Sequence, residues 1–339
     1  MTPKHLLDAM TDIDDESILE AKNPPAHKKV LSRRGAVVLV AAVMLMTMVV
    51  TACASPDTAE WFRTFFHNAG QRQLSEGQLQ YINKNTVSQN QSQTCNGYTI
   101  TVDSAISDNV NAFIKMTLTA PEGVVLDADY YSSTSRIPRD ENWNTVISSH
   151  AGYASTVDED KTDNVVTLLY TIDQAVGSTD DPKLNEHTWT IRLEDLYAYH
   201  WINRGTPDAD TKKTLLAAGV WEFQIKFAND TTVVELIDEP VPCYAEVSQW
   251  PEWGDEEILI TSLRLRAMSA DMTFTFPEKG TEVNAWLDDI YVVMKDGSQI
   301  LMRGSGGWPD NFTFAFDAPI ALEEVSHVLL PNGTKIPMP

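Results

Sequence analysis

The segment NAFIKMTLTA, residues 111–120, carries an apolar residue at every second position from Ala112 to Ala120. A period of two places these side chains on one face of an extended strand, where they can pack against a core. Similar alternation recurs in YTITVDSAI (98–106), VVTLLYTID (165–173), HTWTIRLEDLYAY (187–199) and VWEFQIKFA (220–228). Turn residues such as Pro121-Glu122-Gly123 separate these segments, so the sequence predicts a mainly β fold of antiparallel strands.

A second series of alternating segments follows Pro240-Val241-Pro242 and includes EILITSLRLRAM (257–268), DIYVVMKDGSQILM (289–302) and NFTFAFDA (311–318). Asp296-Gly297 and Asn332-Gly333 are dipeptides typical of type I′ hairpin turns. We therefore expect two antiparallel β-sandwich domains of the immunoglobulin-like type, one at residues 96–239 and one at residues 240–339. A single continuous β unit is the alternative.

Residues 55–95 precede the β-rich part and are predicted to form a juxtamembrane helical segment. The aromatic stretch AEWFRTFF (59–66) is typical of a belt at the membrane surface, or of a helix that packs on the following domain. Ser75 and Gln78 then form the S-x-x-Q pattern of a capping box, which predicts that a helix starts there.

Residues 35–54 contain no charged side chain, and a helix of this length would cross the roughly 30 Å of a bilayer core. Basic residues precede the segment and stay in the cytoplasm, so we predict a single-pass transmembrane helix in the cell membrane, with a cytoplasmic N-terminus and an extracytoplasmic C-terminal bulk. Membrane lipid is then the partner of this helix. Two cleaved alternatives remain open: a lipoprotein signal that ends before Cys53, and simple secretion after residues 52–54. The 34 residues before the segment favour the uncleaved span, because secretory leaders are short.

The cytoplasmic tail, residues 1–34, is predicted to contain a short helix. Leu6, Met10 and Ile13 share one helical face, with Leu7 beside it. A helix this short is marginal in water, so it either frays or docks into the groove of a partner. We therefore name Leu6, Leu7, Met10 and Ile13 as candidate partner-binding residues. A solvated tail without a partner is the alternative.

The charge of the chain is uneven along its length. Residues 1–34 hold six basic and six acidic side chains and residues 35–54 hold none, so the whole formal net charge of −23 lies after residue 54. This acidic excess argues against nucleic acid as a partner, because phosphate binding requires clustered Lys and Arg.

Few residues indicate a site for chemistry. The sequence shows no catalytic set and no motif for a cofactor or a metal, so we expect no enzyme. Cys95 and Cys243 are a candidate disulfide in an oxidising compartment, and two separate thiols are the alternative.

Aromatic residues suggest two surfaces. Trp189, Tyr197, Tyr199 and Trp201 lie between or beside His187 and His200. Strand alternation places Trp189, Ile191 and Leu193 on one face, which is the pattern of a core, and a carbohydrate-type aromatic platform is the alternative. Trp250 and Trp253 of the WPEW motif are a candidate surface patch, because a proline between them disfavours a central strand. A buried plug at a domain junction is the alternative for this pair.

The order of segments resembles a known family. LLDAMTDIDDESILEA, an apolar segment preceded by two arginines, and LSEGQLQYINKNTVSQNQSQTCNGYTITVDSAISDNVNAFIKMTLTAPEGVVLDAD are similar to a bacterial membrane family built around domain of unknown function 4179 (DUF4179). The closing VLLPNGTKIPMP is similar to the ends of those proteins. The resemblance implies an anti-sigma-type architecture of inner tail, one span and β-rich outer part, and it implies no catalytic residues. The tail has His5 and His27 but no cysteine, which excludes an anti-sigma zinc module.

Two functions fit these features. The first is a signalling protein, in which the outer β-rich part senses or binds a ligand and the tail engages a cytoplasmic regulator such as a sigma factor. The second is a surface-anchored adhesion or ligand-binding protein, lipoprotein-like, whose tail and span are only a tether. The patterned tail favours the first function, because a tether does not require such a pattern.

Overall fold

The computed structural model of the chain describes residues 56–70, 72–135, 138–142, 148–156, 162–174, 184–204, 210–249, 252–275, 284–286, 289–305 and 311–339. All of them belong to one compact unit, Val50–Pro339. The predicted tail and span, and with them Leu6, Leu7, Met10 and Ile13, lie outside the described residues. No helix within the described ranges has both the length and the apolar character to cross a membrane.

Two helices open the described part of the chain, α1 (Pro56–Gly70) and α2 (Glu76–Asn85). The capping box predicted for α2 is present. The Gln78 backbone nitrogen donates to Ser75 Oγ over 3.2 Å, and the Ser75 nitrogen donates to Gln78 Oε1 over 2.8 Å. These reciprocal bonds satisfy two backbone donors that the first turn of a helix otherwise leaves unpaired.

Strand β1 (Val87–Cys95) follows α2, so the prediction of a helical segment up to residue 95 is wrong for its last part. The sequence VSQNQSQTC has too few apolar residues to show a period of two. Its extended form comes from antiparallel pairing with the next strand, which outweighs weak local preference.

The first β-sandwich contains eight strands among the described residues: β1, β2 (Tyr98–Ser107), β3 (Asn111–Thr119), β4 (Tyr130–Ser135), β5 (Ser148–Thr156), β6 (Val165–Gln174), β7 (Thr188–Ile202) and β8 (Asp210–Lys226). A five-stranded sheet has the order β1-β2-β3-β6-β5, and a three-stranded sheet has the order β4-β7-β8. A 3-10 turn at Leu184–Glu186 precedes β7. All neighbouring pairs are antiparallel, which confirms the mainly β, antiparallel prediction.

The core of the first sandwich lies between its two sheets. Ile114, Met116 and Leu118, the alternating apolar residues of β3, are fully buried and belong to the same cluster as Trp189 and Trp221 of the other sheet. Full burial of one such side chain contributes about 1.5–3 kcal/mol, so this cluster is the main source of the sandwich's stability.

Glutamine side chains join the two sheets along one side. Each of three glutamines of β1 donates to a backbone carbonyl of β8 and accepts from the N–H of the same residue. The pairs are Gln89 with Lys226, Gln91 with Gln224, and Gln93 with Glu222. The two bonds of Gln91 measure 2.6 and 3.1 Å. This glutamine seam satisfies the outer edge of β8, whose backbone groups would otherwise be open to pairing with another chain.

The second β-sandwich is built from β9 (Val234–Glu235), β10 (Val241–Gln249), β11 (Glu252–Leu265), β12 (Ser269–Thr275), β13 (Asn284–Trp286), β14 (Tyr291–Met294), β15 (Gln299–Leu301), β16 (Arg303–Ser305), β17 (Asn311–Ala315), β18 (Val325–Leu329) and β19 (Lys335–Pro337). One sheet has the order β13-β10-β11-β12-β17-β16, with β9 beside β11, and the other has the order β15-β14-β18-β19. Ile260, Met272, Phe314 and Val328 are fully buried between the sheets.

Two hairpin turns of the second sandwich differ from the predicted type. Gly297 and Gly333 have φ angles of +88° and +81°, as only glycine adopts readily, whereas Asp296 and Asn332 have negative φ. A type I′ turn needs positive φ at both central residues, so that prediction is wrong. The side chains of Asp296 and Asn332 instead accept the N–H two residues later, which stabilises the turn locally.

The helices lie where the two sandwiches meet. The first core ends at Phe227 and the second begins at Ile237, on either side of a short connection. A third cluster combines Phe62 and Phe66 of α1 and Ile82 of α2 with residues of both sandwiches, namely Ile106, Phe113, Ala267, Met268 and Ala318. We call α1 and α2 together the helical collar.

A buried carboxylate strengthens this junction. Asp108, in the turn between β2 and β3, accepts the backbone N–H groups of Val110 and Asn111 on one oxygen. Its other oxygen accepts the Met268 N–H over 2.9 Å and the Ser269 hydroxyl over 2.6 Å, across the boundary between the sandwiches. Hydrogen bonds to a charged group are stronger than neutral ones, so Asp108 fixes the second sandwich against the first.

Candidate functional site

The longest strands of the described chain are β7 and β8, with 15 and 17 residues, and only one half of their hairpin is in the core. In the near half, which comprises residues 188–195 and 218–226, Trp189, Trp221 and Phe223 are fully buried. Beyond Ala198 and Ala217 the buried positions end, and Trp201, Ile202 and Leu215 are 42%, 41% and 50% exposed. We call residues 196–204 and 210–217 the hairpin end.

Four aromatic rings form a row on the outer face of the hairpin end. Tyr197, Tyr199 and Trp201 are alternate residues of β7, and Tyr130 of β4 pairs directly with Tyr199. The rings of Tyr130 and Tyr199 stack with centroids 4.4 Å apart and planes 9° apart. Trp201 continues the row at 5.8 Å from Tyr130. These four residues are the aromatic row.

Two cations lie over the aromatic row. The ammonium of Lys213, from β8, is 3.7 Å from the centroid of Tyr197 and 5.6 Å from that of Tyr199. The guanidinium of Arg204 is 5.6 Å from the centroid of Trp201. Cation–π contacts at exposed positions contribute about 0.5–1 kcal/mol each, so they position these side chains without neutralising them.

The phenol of Tyr130 in this row is a neutral hydrogen-bonding group at physiological pH. Partial desolvation raises the pKa of Tyr130 above its ordinary value, the neighbouring Tyr199 adds to the rise, and the Lys213 ammonium opposes it. A neutral phenol both donates and accepts a hydrogen bond. The row therefore offers hydroxyl groups beside apolar ring surface and positive charge.

The backbone of the hairpin end is held by carboxylates. The N–H of Trp201 donates to Asp129 Oδ2 over 2.7 Å, and the N–H of Asp129 donates to the carbonyl of Tyr199. At the start of the hairpin end, Asp195 has a φ of +54° and accepts the N–H of Gly219. These bonds fix the row's backbone before any ligand arrives, which lowers the entropy cost of binding.

A cleft opens on the inner face of the hairpin end. It has a volume of about 270 Å³ and is lined by Tyr98, Val124, Val125, Leu126, Asp127, Tyr131, Ala198, His200, Lys212, Thr214 and Leu216. Tyr131 lies at its base; burial raises the pKa of this phenol, and its oxygen accepts the N–H of Ala128. His200 and Lys212 pair across the two strands at its mouth.

A β-bulge explains why the two faces of β7 carry such different residues. Pairing of β7 with β8 shifts around Asp195, between Glu194 and Leu196. Before the bulge the odd-numbered residues of β7 face the core, and after it the even-numbered Leu196 and Ala198 do. The core face predicted for Trp189, Ile191 and Leu193 is confirmed, and Tyr197, Tyr199 and Trp201 lie outside the core.

Other residues that the sequence singled out are separate from this site. Cys95 and Cys243 are free thiols; Cys95 is half-buried in β1, and Cys243 lies in the second core, where burial raises its pKa. Trp253 belongs to β11, and Trp250 lies outside the described residues. Sequence reasoning did not single out Tyr130 or Lys213, because their relation to β7 depends on strand pairing over a long separation.

Comparison with known proteins identifies part of the chain. Residues 28–120 match the family model described as "Domain of unknown function (DUF4179)", which confirms the family resemblance and does not bear on an anti-sigma-type architecture. No curated protein matches the chain.

Solved structures give only distant similarity. A conserved domain protein from Bacillus anthracis is 13% identical, with a TM-score of 0.43 over 72% of this chain and 75% of that chain. TarS from S. aureus is 11% identical, with a TM-score of 0.19 over 88% of this chain and 56% of that chain. Neither similarity is close enough to carry an argument about function.

Proposed function

We propose that this chain, which carries a DUF4179 domain, is a single-span protein of the bacterial envelope whose β-rich part binds an extracytoplasmic ligand through the hairpin end. The aromatic row is the observation that carries the proposal. Tyr, Trp and Arg are the residue types that concentrate at binding hot spots, and here all three lie together outside the core.

The arrangement of the row supports a binding role over a purely structural one. Trp201, Ile202 and Leu215 keep a large part of their apolar surface in water, which contributes nothing to folding stability. Clustered exposed apolar residues rimmed by polar groups are typical of interaction sites. The stacked rings and the Asp129 bonds hold them in one arrangement, as a preorganised binding surface requires.

The position of the protein in the envelope is part of the same proposal. The apolar segment at residues 35–54 anchors the chain, the basic flank keeps the tail inside, and the acidic bulk with the hairpin end faces outward. Protease added to intact cells is expected to remove the β-rich part and to leave a small N-terminal fragment. A mature protein that begins at lipid-modified Cys53 would support the tethered, lipoprotein-like alternative and eliminate the tail.

Site-specific photo-crosslinking in cells tests the hairpin end as the binding surface. p-Benzoylphenylalanine in place of Leu215, which pairs with Tyr197 on the outer face and is 50% exposed, is expected to capture an envelope component. The control is the same replacement at Leu301 of the second sandwich, which is 38% exposed. The product at residue 215 should disappear when Trp201→Ala is added. Equal products at residues 215 and 301 would contradict the proposal.

Signalling to the cytoplasm is a second candidate, which the helical collar favours. Helix α1 begins at Pro56, two residues after the predicted span ends, and its Phe62 and Phe66 are fully buried against both sandwiches. A ligand that shifts the β-rich part would therefore displace α1 and the span with it. The tail, through Leu6 and Met10, would pass this displacement to a sigma factor or another regulator.

Capture experiments with the full chain test the signalling candidate. Affinity purification from membranes is expected to retain a transcription regulator with the unmodified chain. Leu6→Asp and Met10→Asp should each abolish retention, because a charge on the helical face prevents docking in an apolar groove. Undiminished capture by both variants would show that this face is irrelevant and leave the chain as a binding protein without a signalling role.

A further inference from the structure

The hairpin end concentrates positive charge in a strongly acidic protein. The chain has a formal net charge of −23, yet two cations, Lys213 and Arg204, lie over the aromatic row, and Lys212 lies on the inner face beside the cleft. An anionic ligand is repelled by most of the molecule, and these two cations offset that repulsion at the row.

The partners of these cations differ from those of other basic residues. Arg192 is within salt-bridge distance of Glu194 and Glu222, and Arg303 of Asp317. Lys213 and Arg204 instead lie over aromatic rings of the described residues. A cation on a ring keeps its full charge and most of its N–H donors, and it remains available to a carboxylate or phosphate.

Acidic residues near the row are engaged with the backbone. Asp129 accepts the N–H of Trp201, Asp195 accepts that of Gly219, and Asp210 accepts that of Thr211. Asp127 lies on the inner face, in the cleft. Asp195 also lies 3.5 Å from the Tyr197 hydroxyl, at one end of the row. The outer face therefore combines cations, phenol hydroxyls and apolar ring surface, with the nearby carboxylates turned to the backbone and to Tyr197.

Building on the proposed function, we infer that the ligand of the hairpin end is an anionic polysaccharide. Its acidic groups pair with Lys213 and Arg204, its hydroxyls bond to the phenols, and the C–H face of a sugar ring packs on the exposed surface of Trp201. The distance from Tyr130 to Trp201, 5.8 Å between ring centroids, is comparable with the length of one sugar unit. The row is thus suited to an extended chain with charges at intervals.

The shape of the surface favours a polymer strand over a folded protein. A stable interface between folded proteins covers about 800 Å² on each partner and has an apolar centre. The aromatic row is a narrow strip along β7, two rings wide where Tyr130 stacks beside Tyr199, with charges at Lys213 and Arg204 near its two ends. A narrow strip of this kind matches a single extended chain.

Binding of the full chain, purified in a polyoxyethylene detergent, to immobilised polymers tests the inference. Polygalacturonate is the anionic polysaccharide probe, dextran is the neutral one and polyglutamate is an acidic peptide. We expect polygalacturonate to bind at least tenfold more tightly than the other two, and the binding to weaken with added salt. Equal affinity for dextran would overturn the role of charge, and equal affinity for polyglutamate would overturn the role of the sugar.

Variants localise the binding. Lys213→Gln and Arg204→Gln are each expected to weaken polygalacturonate binding about tenfold, as the loss of a charge-assisted hydrogen bond predicts. Lys335→Gln, which removes an exposed lysine of the second sandwich, is the matched control and should change nothing. If polygalacturonate does not bind while crosslinking at residue 215 persists, the ligand class is wrong and the proposed function stands. If crosslinking fails as well, both are wrong.

Discussion

The two halves of the β7–β8 hairpin use the same kinds of residue for opposite purposes. The near half places Trp189 and Trp221 in the first core with no exposed surface, whereas the hairpin end leaves Trp201 outside it. Two successive register shifts beside Asp195, between Glu194 and Leu196 and between Leu196 and Tyr197, separate the two halves, and the aromatic residues beyond them lie on the outer face. The comparison shows that residue type does not decide burial here; strand register does.

The largest difference in stability is expected between variants that lose a tryptophan from one half or from the other. Trp221→Ala is expected to lower the free energy of unfolding by about 3–5 kcal/mol, because it leaves a cavity in the core. Trp201→Ala should change it by less than about 1 kcal/mol. Urea unfolding of the full chain in detergent, followed by circular dichroism, measures both. Equal losses would mean that Trp201 supports the fold and is not reserved for a ligand.

A smaller loss of stability is expected from a substitution at Gly219 of β8, where Cys95 of β1 approaches closely. A Cβ on Gly219 would overlap Cys95 Sγ and lie 3.1 Å from Cys95 Cβ, so Gly219→Ala should destabilise the chain by about 1–3 kcal/mol. Cys95→Ala in the same chain should recover part of this loss. Gly304→Ala, whose Cβ would meet ordinary contacts at 3.5 Å, is the control and should be nearly neutral. Strict additivity of the two substitutions would show that the close approach is not what costs stability.

The glutamine seam gives a third test, on the edge of β8. Gln91→Ala removes both bonds to Gln224 and should cost about 1 kcal/mol of unfolding free energy, the net contribution of a typical hydrogen bond. Amide hydrogen exchange at Gln224 should accelerate more than the global stability loss explains. Gln299→Ala, at an exposed position of β15, is the control. An unchanged exchange rate of the Gln224 amide would show that the Gln91 side chain does not protect it.

The smallest expected effect is a change in the pKa of Tyr130 when the positive charge of Lys213 is removed. The Lys213 ammonium favours the phenolate of Tyr130, so Lys213→Gln should raise the pKa of Tyr130 further. Tyr291, whose pKa is raised mainly by the nearby Asp289 carboxylate, is far from this change in sequence and should keep its value. Carbon-13 NMR of labelled tyrosine, with Tyr130→Phe for assignment, follows both titrations. A lower or unchanged pKa for Tyr130 would place the ammonium away from the row.

Local sequence patterns predicted several elements correctly. The alternation from Ala112 to Ala120 identified a core strand, and Ser75 with Gln78 identified the start of α2. Both signals are local: each depends on residues that are neighbours in one strand or one helical turn. The boundary predicted at residues 239–240 falls a few residues late, because Ile237 already belongs to the second core and β9 (Val234–Glu235) already pairs with β11.

The remaining features depend on contacts between distant residues. β1 shows no apolar period, and its glutamines are recognisable as a seam only when β8 lies beside them. The irregularity at Asp195 is opposite Gly219, which lies on the other strand, so nothing in the β7 sequence itself signals it and strict alternation from Trp189 would place Trp201 on the core face. The aromatic row also needs Tyr130, which is 69 residues before Tyr199 in the sequence and directly opposite it in the sheet.

The pairing of β3 with β6 has a practical consequence for work on the DUF4179 domain. The family match ends at residue 120, one residue after β3 ends. In the folded chain all nine residues of β3 pair with residues 165–173 of β6. A gene that ends at the family boundary would encode a protein with an unpaired edge at β3 and an incomplete hydrophobic core. Such a protein is prone to aggregate into inclusion bodies. Expression plasmids should instead extend at least through β8.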